Sequence, residues 1–379
     1  MNAYTMNRLI ILGNGFDLAH GMSTGYNDFI VWLLKRALEG ANYVEGYSDE
    51  AMIVHHLNFA YTVAGFKTAS HLVDFAYSKQ NLSFFFTRGG RLSLSDIQYL
   101  ENPYIIVAKN EFVCNLIKKY SNCNWVDIEN QYYRELKAIT KDPYNQDQRI
   151  ENLNAGLSYL ITALEKYLSK QEYKKGNEAY SAILRAPIKN DELLEQEGFS
   201  EQKEIKPERS LILNFNYTST VEQYLKSEEP TADPHFEVSY IHGKLQDTEN
   251  PIIFGFGDEL DNDYAHLEQN ESKGLLDYIK SFWYFKTSNY HDLVRFIDSS
   301  DYQVFILGHS CGLSDRTMLN MIFEHPRCKS IKLFYHQGEK GNNFRTLTQE
   351  VSRHFKDKGS MRKKIVPFDK SSAMPQASK

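Results

Sequence analysis

Four short polar clusters, each closing an apolar run, carry the residue types that could do chemistry in this 379-residue chain. They are Gly13-Asn14-Gly15, Asn216-Tyr217-Thr218, His242-Gly243 and Gly308-His309-Ser310. Imidazole titrates near neutrality, so His242 is a candidate base. Asn216 is a candidate for orienting a hydroxyl or a water. Taken singly, each has a structural explanation: a strand-end histidine commonly bonds within its fold, and asparagine is a common turn residue. Together at one sheet edge they make a better catalytic pair than either alone. His309, Ser310 and Asp315 include the residue types of a Ser-His-Asp hydrolase, and Gly308-His309-Ser310-Cys311-Gly312 has the G-x-S-x-G spacing, but a hydrolase of that kind is the lesser reading. Asp17, His20 and Asp28 surround the first glycine turn without the spacing of metal ligands, so no metal is expected.

The elements that must position these residues are legible as short apolar runs. Leu9 to Leu12 read as a buried parallel strand that ends at the Gly13 turn. Glycines there permit a sharp turn and close approach of a ligand to the main chain. Tyr26, Phe29, Ile30, Leu33, Leu34 and Ala37 then follow helical spacing, with Ser23 or Thr24 as the cap and Gly40 as the end. Strand, glycine turn and helix start is an arrangement that suits a phosphate, although Leu18 stands where G-x-G-x-x-G requires its third glycine. Further strands are expected at residues 210–215, 237–241, 252–254, 302–307 and 331–335, and helices at 271–285, 288–297, 315–323 (capped by Ser314) and 344–355.

This alternation predicts an α/β fold with a mostly parallel, doubly wound sheet, in which ligands bind beyond the carboxyl ends of the strands. Between the first two strands lies a long segment read as helical: 49–77, 105–119, 124–139 and 146–170, with a hairpin or loop near 82–94. A charged stretch at 189–209 reads as a solvated connector. The expected organisation is therefore an α/β nucleotide-binding domain from 6–29 and 207–368, a helical insertion at 30–206, and a disordered tail at 369–379.

Composition narrows the class. A hydrophobic content of 42% and a charged content of 24% are ordinary for a globular protein. The net charge of −6 gives no general attraction for nucleic acid. The cysteines, Cys114, Cys123, Cys311 and Cys328, form no C-x-x-C pair, which argues against a zinc ribbon and fits a reducing compartment. No run approaches the ~18 apolar residues of a membrane span, and no signal peptide precedes Leu9. The expected location is cytoplasmic, with no membrane partner.

Gly13-Asn-Gly-Phe16-Asp17, His20-Gly21, Thr24, Tyr26 and Phe29 resemble the opening motif of the AbiH family of bacterial phage abortive-infection proteins. Trp125-x-Asp127-Ile-Glu129, Asn214-Phe-Asn-Tyr-Thr218, Ile241-His-Gly-Lys244, Phe254-Gly255 and Gly308-His-Ser-x-Gly-x-x-Asp315 resemble its later blocks, in the same order. Met22-Ser23 departs from Leu-Pro, and Cys311 from leucine.

More distantly, these blocks are similar to the sirtuin-like NAD-binding fold. Asp28-Phe29 matches the Asp-Phe of its glycine loop, with Ile30 replacing arginine; Asn216-Tyr217-Thr218 resembles Asn-x-Asp, with Thr218 replacing the aspartate. His242-Gly243 matches the catalytic His-Gly, and Gly308-His309-Ser310 resembles the Gly-x-Ser of the adenosine side. The zinc module of that fold is absent.

The resemblance implies Asn216 and His242 as catalytic residues. It implies nucleotide contacts from Gly13, Asn14, Gly15, Phe16, Asp17, His20, Thr24, Tyr26, Asp28, Phe29, Tyr217, Thr218, Gly243, Gly308, His309, Ser310 and Asp315. The activity implied is hydrolysis of NAD⁺ to nicotinamide and ADP-ribose in phage defence. A non-catalytic sensor of a nucleotide or phage protein, and an ADP-ribosyltransferase, are the alternatives. A phage-derived trigger and self-association are open options for the helical segment.

Overall fold

Leu9–Leu12, Leu211–Leu213 and Val304–Leu307 lie in strands buried on both faces, as a parallel sheet requires. A computed structural model describes residues 5–43, 46–56, 82–85, 104–118, 125–172, 176–194, 204–225 and 235–376. They fall into two units: 1–24 with 168–265 and 278–379, and 25–167 with 266–277.

The first unit holds a six-stranded sheet. Its strands are β1 (Asn7–Leu12), β2 (Arg209–Asn214), β3 (His235–Tyr240), β4 (Tyr302–Leu307), β5 (Cys328–Tyr335) and β6 (Ser372–Ala373). Their order is β6-β5-β4-β1-β2-β3, and every neighbouring pair is parallel. The strands end in step, because Leu12 lies opposite Leu307 and Asn214, and Asn214 lies opposite Tyr240. Chain order reverses between β1 and β4, the kind of switch point at which parallel sheets open a crevice.

Side chains alternate between two cores. Leu9, Ile11, Leu211, Leu213, Val304 and Ile306 pack with helices Asn289–Ser299 and Arg316–Glu324. Ile10, Leu12, Ile212 and Phe305 pack with Phe16, Tyr180 and Leu184, the last two from helix Glu178–Arg185.

Several expectations are corrected here. The stretch at 189–209 is not a solvated connector throughout: Ile188–Lys189 pairs with Glu204–Ile205, and Glu192 is buried. Its carboxylate accepts from Lys332 Nζ (2.5 Å) and from Gln303 Nε2 (2.9 Å), which in turn accepts from the buried Arg8 guanidinium through Oε1 (3.0 Å). Burial lowers the Arg8 pKa to about 9.

The C-terminal stretch is ordered at least through Met374, which is buried, and it supplies β6. Residues 252–254 form no strand. In place of a helix at 271–285, short helices occupy Tyr264–Glu268 and Lys280–Trp283. Ser314 does not cap the following helix; it lies in a 3₁₀ turn, Leu313–Asp315, with its hydroxyl buried.

The second unit is not wholly helical. Helix Tyr26–Tyr43 runs past Gly40, and helices Glu111–Lys118, Trp125–Thr140 and most of Gln146–Leu168 belong here too. A four-stranded sheet orders Tyr47–Ser48, Met52–His56, Tyr104–Ala108 and Leu82–Phe85 side by side. Met52–His56 and Tyr104–Ala108 thus replace helix expected at those positions, while 57–77 and 86–94 lie outside the described residues. Residues 168–194 and 204–206, expected within the insertion, group with the first unit. Among the described residues, no helix is long and apolar enough to cross a membrane.

Candidate functional site

The polar clusters after β1, β2, β3 and β4 all leave the carboxyl edge of one sheet. The first and last interlock through their backbones. Gly13 N–H donates to Leu307 O (3.1 Å), Gly15 N–H to Gly308 O (2.8 Å) and Phe16 N–H to Gly13 O (2.8 Å). Only glycine fits at Gly308: its φ is +71°, and a Cβ would stand 2.2 Å from the Phe16 nitrogen. A Cβ on Gly13 would lie 2.5 Å from the His309 Cα. Close loop packing therefore accounts for these glycines, and helix Asn14–Ala19 begins directly behind them.

Asn214 shapes the loop after β2. Its side chain accepts from Asn216 N–H (3.0 Å) and donates to Thr218 O (3.1 Å). That turn directs the Asn216 amide to Gly13 O (3.1 Å), and Asn216 is buried. Phe215 fills the space between the two imidazoles, with its ring centroid 4.8 Å from His242 and 4.2 Å from His309. After β3, Gly243 adopts φ +89°, and a Cβ there would lie 2.1 Å from Pro251 O. The His242 carbonyl accepts from Ile253 N–H (2.7 Å).

Two buried carboxylates sit among these loops, with opposite electrostatics. Asp315 Oδ1 lies 2.7 Å from Lys280 Nζ and 3.3 Å from His242 Nε2, and its Oδ2 lies 3.8 Å from His309 Nε2. Tyr284 OH is 3.3 Å from the same His242 nitrogen. Burial opposes ionisation of Asp315, but Lys280 and then His242 outweigh it and hold its pKa below the carboxylate range. Cys311 N–H donates to His309 Nδ1 (3.0 Å), so the proton of a neutral His309 ring resides on Nε2, facing Asp315. Burial lowers the His309 pKa to about 4. Burial, then Lys280, lowers that of His242, which is therefore neutral at physiological pH.

Asp17 is the other carboxylate. Thr218 Oγ1 donates to its Oδ2 (2.6 Å), Thr220 reaches Thr218 (3.2 Å), and Asp17 Oδ1 is buried with no hydrogen-bond partner. Burial raises its pKa to about 6, against the hydrogen bonds. A raised carboxyl pKa means that the folded state binds the proton more tightly. The stability from this group is present in full below pH ~4 and is lost as pH rises through about 6. Asp17→Asn, which removes the buried charge, is expected to raise the urea midpoint at pH 8, by a free energy of up to about 3 kcal/mol. At pH 4 the gain should vanish; an equal gain at both pH values would contradict the assignment.

Other predicted site residues have packing roles. His20 Nδ1–H donates to Phe16 O (2.7 Å), Nε2 accepts from Tyr224 OH (2.5 Å), and the ring stacks on Tyr180 at 4.8 Å. Thr24 is buried. Tyr26, Asp28 and Phe29 belong to the second unit. There Tyr26 OH donates to Leu116 O (3.0 Å), Phe29 packs 5.5 Å from Trp125, and Asp28 accepts from Gly25 N–H (3.2 Å) at the helix start. Tyr217 OH donates to Ile253 O (3.3 Å), whereas Ser310 is exposed. The structure adds Lys280, Tyr284, Phe215 and Thr220, which had no local signal.

His354 is a further addition. Its Nε2–H donates to Cys311 O (2.8 Å) and braces that residue at φ +53°, a left-handed conformation that is uncommon outside glycine. Cys114, Cys311 and Cys328 are buried thiols, and Cys123 lies outside the described residues. Among the described residues, no group of three or more His, Cys, Asp or Glu is arranged to hold a metal ion.

A family model described as Bacteriophage abortive infection AbiH matches residues 9–337. The chain belongs to the AbiH family. That membership supports a role in phage abortive infection. The AbiH match takes in all four strand-end clusters, Lys280 and Asp315, and stops short of β6. No curated protein and no solved structure matches the chain.

Proposed function

We propose that this protein is an abortive-infection effector that hydrolyses the nicotinamide glycosidic bond of NAD⁺. The observation that carries the reading is the continuity of the strand-end residues. The Gly13 loop bonds to Asn216 and packs on His309, and Phe215 joins His309 to the neutral imidazole of His242. The strand order, read outward from the β1–β4 switch point, is also that of dinucleotide-binding sheets. It supports a Rossmann- or sirtuin-like arrangement as an analogy of fold.

The chemistry fits these groups. Nicotinamide leaves as a neutral amine with the electrons of the C1′–N bond, so no general acid is needed. Water adds to C1′, and its proton passes to His242. Asn216 orients the water or a ribose hydroxyl. The orphaned Oδ1 of Asp17 can accept from a ribose hydroxyl. Asp17 also supplies, 2.6 Å from Thr218 Oγ1, the carboxylate that the sirtuin Asn-x-Asp pattern carries at the position of Thr218. The proposed setting is cytoplasmic, with the second unit available for a phage-derived trigger or for self-association.

A non-catalytic sensor of a phage protein, in place of a nucleotide, is favoured by a different observation. The N–H groups of Gly13, Gly15 and Phe16, and one from the Asn216 amide, are already spent within the protein. Nicotinamide release from NAD⁺, followed with and without phage lysate, separates the readings. Loss of release in His242→Ala and Asn216→Ala supports hydrolysis by this site, whereas equal turnover in all three proteins rules it out. Absence of both NAD⁺ binding and NAD⁺ cleavage under both conditions supports the sensor. ADP-ribose linked to protein supports transfer.

A further inference from the structure

Lys280 is a lysine buried to 1% exposure, and its ammonium contacts the same oxygen of Asp315 that faces His242. A buried carboxylate beside an imidazole ordinarily draws a second proton onto the ring, because the imidazolium is then its nearest counter-ion. Here Lys280 stands closer to Asp315 Oδ1 (2.7 Å) than His242 does (3.3 Å), and the carboxylate already has its cation. An ionised carboxylate is an acceptor only, and the Tyr284 hydroxyl 3.3 Å away can also accept, so a proton on the His242 nitrogen facing them suits both oxygens. That nitrogen is Nε2.

We infer that Lys280 is a positioning residue: it neutralises Asp315 so that His242 remains a neutral imidazole, protonated on Nε2 and presenting Nδ1 as its basic nitrogen. Among the described residues, the Asp315 carboxylate, the Tyr284 hydroxyl and the uncharged Phe215 ring face His242, with the Lys280 ammonium and neutral His309 against Asp315. Lys280 supplies the positive charge in that set, and it disfavours a second one on the ring. The base role of Nδ1 rests on the hydrolytic reading above. The protonation state does not, because it can be read without substrate.

The test is ¹⁵N NMR of the His242 ring in the full-length protein, titrated from pH 5 to 9 in wild type, Lys280→Met and Lys280→Arg. Wild type is expected to show a neutral ring with the Nε2–H pattern at pH 7, and Lys280→Arg the same. Lys280→Met should raise the His242 pKa by at least about one unit, a tenfold change in the imidazolium-to-imidazole ratio. Its nicotinamide release at pH 7 should fall and recover at higher pH. Lys280→Gln, which keeps a donor to Asp315 without the charge, serves if the methionine variant does not fold. A wild-type imidazolium or an Nδ1–H ring at pH 7, or an unchanged titration in both uncharged variants, overturns the inference. The expected NMR changes without any cleavage of NAD⁺ would leave the role of Lys280 standing and defeat the hydrolytic proposal alone.

Discussion

Replacing His242 by alanine is expected to reduce nicotinamide release from NAD⁺ by about 10²–10⁴-fold, the usual worth of a positioned base. The nicotinamide ring is cationic while bonded to C1′ and departs neutral without a proton donor, so the residual rate should reflect binding and electrostatic shelter alone. The burden on His242 is deprotonation of the incoming water or of a ribose hydroxyl, and a neutral ring on the sheet edge suits it. KM should change less than kcat, because the proton moves only as the reaction proceeds. Circular dichroism and thermal melting of the same preparation guard against unfolding. A His242→Ala protein that keeps wild-type turnover would remove the imidazole from the mechanism.

Asp315→Ala carries the largest expected effect on stability. The substitution removes a charged partner of the buried ammonium and of the nearby imidazoles, and breaking a buried ion pair on one side costs about 3–5 kcal/mol. Urea denaturation of Asp315→Ala should show that loss. The double variant Asp315→Leu with Lys280→Met, which removes both charges and fills the space, should recover most of it. Because the folded pKa of Asp315 lies below its ordinary value, the pair stabilises fully above pH ~4 and weakens as acid protonates the carboxylate. A double variant as unstable as the single one would mean that shape, not charge, governs the site.

The central sheet was legible because its strands are continuous apolar runs closed by glycine or polar residues. Leu9 to Leu12 and Val304 to Leu307 carry that pattern, and alternation with helices implied parallel pairing. Elsewhere local pattern misled. Met52–His56 and Tyr104–Ala108 are short apolar segments whose periodicity does not separate helix from strand, and their pairing with each other decided the matter. Glu192 was hidden in a charged run because its partner Lys332 is 140 residues away. Ser372–Ala373 has no strand propensity; it pairs because Phe334 and Tyr335 offer it an open edge.

The sequence by itself determined the strand ends, and with them the residues Gly13, Asn216, His242 and Gly308, since hydrophobic runs and glycine turns are local properties. It also carried the AbiH membership, which rests on ordered motifs. The tertiary structure decided which charges meet. Lys280 reaches Asp315 across 35 residues, and Thr218 reaches Asp17 across 201. Such pairings depend on strand order and register, which bring together side chains that share no local pattern.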